Sequence, residues 1–274
     1  CTSEGSPLIV LSMKLLAALK ATNSVPLGMA MRYGTPSIES QVLELSRLPN
    51  IDEILLVPLY PHYAESTIAT TIAETERVLK KHALSIKLKT LKPFYDRPEY
   101  IEALVSSAQP WISKPESYDH VLFSYHGLPE QHITGTDPTG NHCLKQENCC
   151  SVSSSAHETC YRHQVFKTTE CFVKETGLKQ EQYTIAFQSR LGRARWLEPS
   201  TNDTLIELAN AGVKNLLVLC PAFVSDCLET LEEIELEGTE TFKSHGGESL
   251  TLIPCLNDNP VWVEKLTDLI ASSA

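Results

Sequence analysis

The sequence predicts an α/β protein made of two similar doubly wound halves, each a parallel sheet flanked by helices. Three observations lead there. Apolar runs of strand length alternate with segments of helical period along all 274 residues. Part of the first half is echoed in the second. The longest apolar runs, such as Leu216 to Cys220, stop far short of the ~20 residues that span a bilayer, so they read as sheet strands.

In chain order the pattern predicts a helix over 7–21, a strand over 27–32, a helix over 37–47, a strand over 53–59, a helix over 66–82, a strand over 86–91 and a helix over 96–112. The second half reads as a strand over 119–125, then a helix over 158–176. Strands over 183–188, 214–220 and 249–254 follow, alternating with helices over 201–211, 226–243 and 258–272. The strands are short apolar runs, and the helices repeat their apolar residues every three or four positions.

The echo is specific. Leu55-Leu56-Val57 through Ala64-Glu65 lies without gaps on Leu216-Leu217-Val218 through Ser225-Asp226. Asp96-x-Pro98-x-Tyr100-Ile101-Glu102-x-Leu104 matches Asp258-x-Pro260-x-Trp262-Val263-Glu264-x-Leu266, and the spacing within each half is 41 and 42 residues. This divides the chain into an amino-terminal half, 1–115, and a carboxyl-terminal half, 116–274, with a Cys-rich loop at 136–160. The second half opens with its own strand, whereas the first opens with a helix. A strand and helix preceding residue 1 are therefore expected, in keeping with a chain that starts on Cys1 without an initiator Met or a signal pattern. Ligands of doubly wound folds bind outside the carboxyl ends of the strands, so residues just after strands carry the functional weight.

Composition narrows the function. A net charge of −11 leaves no clustered Lys and Arg to neutralise phosphates, which excludes nucleic acid as the main partner. The nine cysteines are odd in number and unevenly placed, with Cys143, Cys149, Cys150 and Cys160 crowded and Cys1, Cys171, Cys220, Cys227 and Cys255 scattered. That fits a reducing compartment rather than a disulfide scaffold. The expected location is the cytoplasm, with peripheral contact at the inner membrane as an option.

Three places could carry chemistry. Val121-Leu122-Phe123-Ser124-Tyr125-His126 is a strand that ends on a histidine, and Gly127 and Pro129 then turn the chain. An imidazole there can take a proton near neutral pH or bind a metal, though it can equally be held within its own loop. After the strand ending at Cys220, Ser225 or Asp226 would cap a helix carrying Glu229, Glu233 and Glu237 at four-residue spacing. Leu228, Leu231 and Leu236 would take its other side. Such a row describes a solvated face, or a path for protons or hard divalent cations. The third place is Cys143-x5-Cys149-Cys150-x9-Cys160, in a loop expected to lack secondary structure and entered through Thr136-Asp137-Pro138-Thr139-Gly140. Four thiolates suit a [2Fe–2S] cluster or zinc, with His142, His157 and His163 as substitute ligands; free thiols or a local disulfide are the alternative. Tyr33 and Trp196 are single aromatics after strands, of the kind that line a flat apolar pocket or an ordinary rim.

Ser124-Tyr125-His126-Gly127-Leu128-Pro129 and Phe223-Val224-Ser225-Asp226-Cys227-Leu228-Glu229-Thr230-Leu231-Glu232-Glu233 resemble the two signature segments of ferrochelatases. Met31-Arg32-Tyr33-Gly34, Tyr60-Pro61-His62-Tyr63, Phe187 to Gly192, Trp196-Leu197 and Pro254 to Asp258 are similar to further segments of that family. The resemblance implies two flavodoxin-like halves facing across a porphyrin cleft. It implies insertion of Fe2+ into protoporphyrin IX or coproporphyrin III in haem biosynthesis, a lyase reaction. His126 and Glu229 would be the catalytic pair and meet the ferrous ion, Glu233 and Glu237 would continue the acidic row, and Arg32, Tyr33 and Trp196 would contact the macrocycle. Cys143, Cys149, Cys150 and Cys160 resemble those of bacterial members with a [2Fe–2S] cluster in this loop. Two departures stand out: the family's amino-terminal strand and porphyrin lip are absent, and Cys227 stands where other members can carry His. Competing readings are a cobalt or nickel chelatase on the same fold, a non-catalytic porphyrin- or metal-binding protein, and an iron–sulfur redox sensor on an inactive scaffold.

Overall fold

A computed structural model describes residues 5–273, so Cys1 lies outside the described residues. Apolar strands covered by helices on both faces sort into two parallel sheets. The first pairs β1 (Glu53–Leu56) with β2 (Lys87–Thr90). The second runs in the order β4-β3-β5-β6, with β3 at His120–His126, β4 at Tyr183–Gln188, β5 at Asn215–Leu219 and β6 at Ser249–Leu252. The burial of β3 follows from its central place: every residue before His126 is buried, as expected of a strand with helices on both sides.

Helices fill the gaps in the predicted order. They are α1 (Pro7–Thr22), α2 (Ile38–Ser46), α3 (Thr70–Lys81), α4 (Pro98–Ile112), a short α5 (Glu130–Gly135), α6 (Tyr161–Thr176), α7 (Thr201–Asn210), α8 (Leu228–Thr230), α9 (Thr239–Ser244) and α10 (Pro260–Ala271). Pro98 and Pro260 open α4 and α10, where a missing N–H costs nothing. Ser37 and Ser200 cap α2 and α7 in the same way, each accepting from the N–H three residues on.

The two halves repeat each other in detail. Met31 N donates to Pro36 O at 2.7 Å, and Phe187 N to Pro199 O at 2.9 Å, just before those capping serines. A π-helical turn precedes α3 at Glu65–Ala69, and a longer one, Leu231–Gly238, precedes α9. Tyr100 and Trp262, paired by the sequence echo, are both fully buried and meet at the centre, ring centroids 6.0 Å apart, beside Phe94. The strand echo needs a shift of one residue. Leu91 N bonds Leu56 O while Ile253 N bonds Val218 O, which superimposes Leu56 on Val218 rather than on Leu217. An uninterrupted apolar run carries no alternation to reveal such a slip.

Other expectations are corrected. Residues 27–32 do not form a strand; Met31 makes one isolated bridge to Ser37, and 27–30 have no ladder. A strand needs a neighbour at ladder distance, and among the described strands β1 pairs with β2 alone. The helix expected over 226–243 is three pieces, α8, the π-helix and α9. Leu228 and Leu236 are consequently exposed, while Ile234 and Gly238 face the core. Its cap is Cys227, not Ser225 or Asp226. The Cys-rich loop is not structureless: it holds a 3-10 turn at Ser155–Glu158, and the Asp137 carboxylate gathers the N–H groups of Thr139, His142 and Cys143 at 2.8–2.9 Å. Among the described residues no helix is long and apolar enough to cross a membrane.

Candidate active site

The end of β3 and the start of α8 meet at one cavity of about 830 Å3, and His126 and Glu229 both line it. Each is half-buried, a position that combines access with a controlled environment. The His126 backbone is held from below, because Tyr161 Oη donates to its carbonyl at 2.8 Å. Its Nδ1 lies 2.6 Å from Gly127 O. A carbonyl only accepts, so Nδ1 carries a proton, and in the neutral ring the lone pair falls on Nε2. Phe223 tilts against the ring at 6.2 Å. Gly127 is required at the turn: a Cβ there would sit 2.9 Å from Gln188 O and 3.1 Å from the Trp196 ring.

Glu229 is placed by residues that carry no obvious motif of their own. Gln188, buried at the end of β4, donates to Glu229 O at 2.6 Å and accepts from Ser124 Oγ at 2.8 Å, so it ties β3, β4 and α8 together. Asp226, also buried, accepts from Thr230 Oγ1 at 3.0 Å and from Asn257 Nδ2 at 2.7 Å. Gln188 and Asn257 fall within segments that the family resemblance marks, but nothing in their spacing announces these bonds. The thiol of Cys227 is pushed up to about 12, by burial first and then by its hydrogen bond to Glu229.

The three glutamates do not share one environment, contrary to the expected row. Glu229 faces the cavity. Glu233 turns to the 188–189 segment, where Ser189 donates from N and from Oγ, both at 2.6 Å. Ser189 has a positive φ of 66°, and these two bonds hold it there. Glu237 is exposed. The i to i+5 winding of the π-helix moves these side chains off the single stripe that an α-helix would give.

The expected porphyrin contacts separate as well. Arg32 lines the cavity, its guanidinium 4.4 Å from the centre of the Tyr33 ring, while Tyr33 is 72% exposed and does not line it. Trp196 lines a neighbouring pocket of about 450 Å3 with Gln188 and Arg190, and its Nε1 donates to Leu191 O at 3.0 Å. His62, to which sequence reasoning gave no role beyond its place in a family segment, also lines the cavity and sits between Tyr125 and Tyr161, at 5.5 and 5.7 Å.

In the Cys-rich loop the four thiols lie close together. Cys143, Cys149 and Cys160 are buried and Cys150 is half-buried. N–H donors point at the sulfurs: Leu144 N at Cys149 (3.4 Å), His163 N at Cys160 (3.5 Å) and Arg162 at Cys150 (3.4 Å). Cys160 is the thiol most favoured as thiolate, chiefly because Cys150 hydrogen-bonds to it, with His163 N–H and Cys143 adding. The imidazoles serve as braces: His142 and His157 donate to Cys149 O, and His163 to Cys150 O. Among the described residues no group of three or more His, Cys, Asp or Glu closes around a single metal ion.

Comparison with known proteins settles the family. The ferrochelatase family model matches residues 1–274. The chain belongs to the ferrochelatase family. A ferrochelatase from Pseudomonas fluorescens is 52% identical over 268 residues, covering 97% of this chain and 78% of that protein. One from Stutzerimonas stutzeri is 51% identical with the same coverage. The fold matches SirB from Bacillus subtilis at a TM-score of 0.65 and 16% identity, covering 98% of this chain and 92% of that one. The sirohydrochlorin chelatase SirB in complex with cobalt gives 0.64 at 14% identity, covering 100% and 92%. As a ferrochelatase, the protein is a metal chelatase of the lyase class that inserts Fe2+ into a porphyrin in haem biosynthesis.

Proposed function

We propose that His126 is the base that takes the pyrrole protons and that Glu229 holds the incoming ferrous ion opposite it. The observation that carries this reading is the Nδ1 contact of His126 to Gly127 O, which makes Nε2 the proton acceptor of the neutral ring at a residue lining the cavity that Glu229 shares. Insertion replaces two pyrrole N–H bonds with bonds from the ring nitrogens to Fe2+. Both protons must leave, one at a time, through a side chain that can accept a proton and pass it on. Carboxylate oxygens suit a hard divalent ion and release it without the affinity of a thiolate. With Glu233 committed to Ser189 and Glu237 at the surface, delivery rests on Glu229 alone. Arg32 supplies a cation for a carboxylate substituent of the porphyrin.

Cys143, Cys149, Cys150 and Cys160 would hold a [2Fe–2S] cluster. Four thiols with N–H donors and the Arg162 guanidinium aimed at them suit a thiolate-bound group, and two iron centres need the thiolates in pairs rather than around one point. Such a cluster would supply metal–sulfur bonds that tie the 136–160 loop to α6.

His126→Ala is expected to lower iron insertion by roughly 10²–10⁴-fold while porphyrin still binds with its usual absorbance shift. Normal turnover in that variant would end the assignment. Cys160→Ser should yield protein without acid-labile sulfide, and sulfide retained at the parent level would remove the cluster from this loop.

A further inference from the structure

The peptide that joins His126 to Gly127 is clamped at both ends. Its N–H donates to Gln188 O at 2.8 Å, and its carbonyl accepts from Tyr161 Oη at 2.8 Å. A trans peptide points these two groups in opposite directions, so the carbonyl faces away from β4, toward the side of β5. There the ladder has already run out, since the last pair between β3 and β5 is Phe123 with Leu219. Tyr161 takes the place of a strand partner at the point where the backbone carries His126 into the cavity. Its hydroxyl stays a donor, because burial pushes the phenol pKa far above its ordinary value. The contact of His126 Nδ1 with Gly127 O spans this clamped peptide, so the clamp sets its geometry.

Tyr161 is the first residue of α6, and the Cys-rich loop builds that end of the helix. Cys160 caps it, with Sγ accepting from His163 N at 3.5 Å. Thr159 Oγ1 donates to Thr136 O at 2.7 Å and closes the loop at its base. Gln164, fully buried in the same turn, donates to the carbonyls of His157 and Glu158 at 3.2 and 2.9 Å and accepts from Tyr63 N at 2.7 Å. Farther along, α6 is held by bonds that owe nothing to the loop. Thr168 Oγ1 donates to Tyr95 O at 2.7 Å, and Thr169 Oγ1 lies 2.8 Å from Tyr125 Oη. The body of α6 is anchored to the fold, and the loop decides where its first turn lies.

We propose, on the reading of His126 as the base, that Tyr161 is a positioning residue through which the order of the Cys-rich loop sets the geometry of His126. When the loop relaxes, the first turn of α6 shifts and the Tyr161 hydroxyl leaves the carbonyl. The peptide it clamped is then free to rotate. Nδ1–H loses Gly127 O, and the neutral ring divides its proton between the two nitrogens. A share of the molecules then presents a protonated Nε2, which cannot accept a pyrrole proton. The loop acts on the reaction in this way without any thiol reaching the porphyrin, whatever the four thiols hold.

Tyr161→Phe removes the hydroxyl and keeps the ring against His62. It should lower kcat for iron insertion roughly 10- to 100-fold, as misplaced catalytic groups do, with KM for porphyrin within about twofold of the parent. Nitrogen NMR of the neutral His126 ring should change from one Nδ1–H form to a mixture of tautomers. Thr159→Val leaves all four thiols in place and should reproduce both changes in part. Combined with Tyr161→Phe it should add nothing, because both act through one hydrogen bond. Parent kcat and an unchanged tautomer in Tyr161→Phe would overturn the proposal, even with a lowered melting midpoint, since Tyr161 would then serve packing alone. Losses that multiply in the double variant would overturn it too, by showing that the loop acts along another route. The tautomer is read without turnover, so an unchanged ring sinks the positioning role by itself. Full turnover in His126→Ala beside a shifted tautomer in Tyr161→Phe would instead remove the base assignment and leave the clamp.

Discussion

His62 sets a specific pH limit on stability. It is 2% exposed, and its Nε2 lies 2.9 Å from Thr168 Oγ1. Thr168 uses its own proton on Tyr95 O at 2.7 Å, so Nε2 must donate, and Nδ1 is left as a buried acceptor without a partner among the described residues. Burial lowers the pKa from 6.5 to about 3. The folded protein therefore keeps His62 neutral across a range in which the unfolded chain takes up a proton. The sign follows: the unfolded state binds more protons between about pH 6.5 and 3, so stability is intact above that window and declines as pH falls through it. At 1.36 kcal/mol per pKa unit, this one group costs about 2 kcal/mol by pH 5 and between about 4 and 5 kcal/mol near pH 3. Glutamine is neutral throughout and can donate to Thr168 from its amide. Urea unfolding of the parent and of His62→Gln at several pH values from 7 to 5 should show the gap between them shift toward the variant by about 2 kcal/mol. His120 and His163, also lowered by burial, titrate in both proteins and cancel. Two stability curves that fall in parallel would refute the reasoning.

Trp262→Ala, at a fully buried site against Phe94 and Tyr100, should cost about 3–5 kcal/mol in urea unfolding, and a loss below about 1 kcal/mol would mean that the centre of the fold is packed differently. Glu233→Ala frees Ser189 from two short bonds and should speed its amide exchange roughly tenfold or more, as expected for hydrogen bonds to a charged group; exchange at the parent rate would show that the loop holds without it. Glu39 accepts from Lys81 and His82, and these hydrogen bonds hold its carboxyl at about 2. Its contribution is complete above the ordinary carboxylate range and disappears as pH falls toward 2. A carboxyl titration followed by NMR should find that low midpoint at low salt and see it rise in high salt, because the cluster is exposed.

Much of the site could be read from the residues in order. His126 closes an apolar strand and precedes the residues that must turn, and Glu229 opens a helix just after another strand, so each announces a strand end in a parallel fold. Gln188, Asp137 and Asn257 announce nothing. Their roles arise from bonds to residues distant in the chain, or to backbone groups that only a folded loop brings together. The acidic spacing misled for a related reason: four-residue periodicity implies a single face only if the winding is α, and the i to i+5 register of Leu231–Gly238 is set by the helix in place.

The order of most local elements, the repeat between the halves and the strand ends that carry His126 and precede Glu229 were determined by the sequence itself, because periodicity, capping and turn residues act over a few neighbours. Pairing was not. Residues 27–31 have the composition of a strand but no ladder, and the strand echo is offset by one residue from its spatial match. Those outcomes belong to tertiary structure, because a β-strand is completed only by hydrogen bonds to another segment, and no property of the segment alone says whether that partner lies beside it.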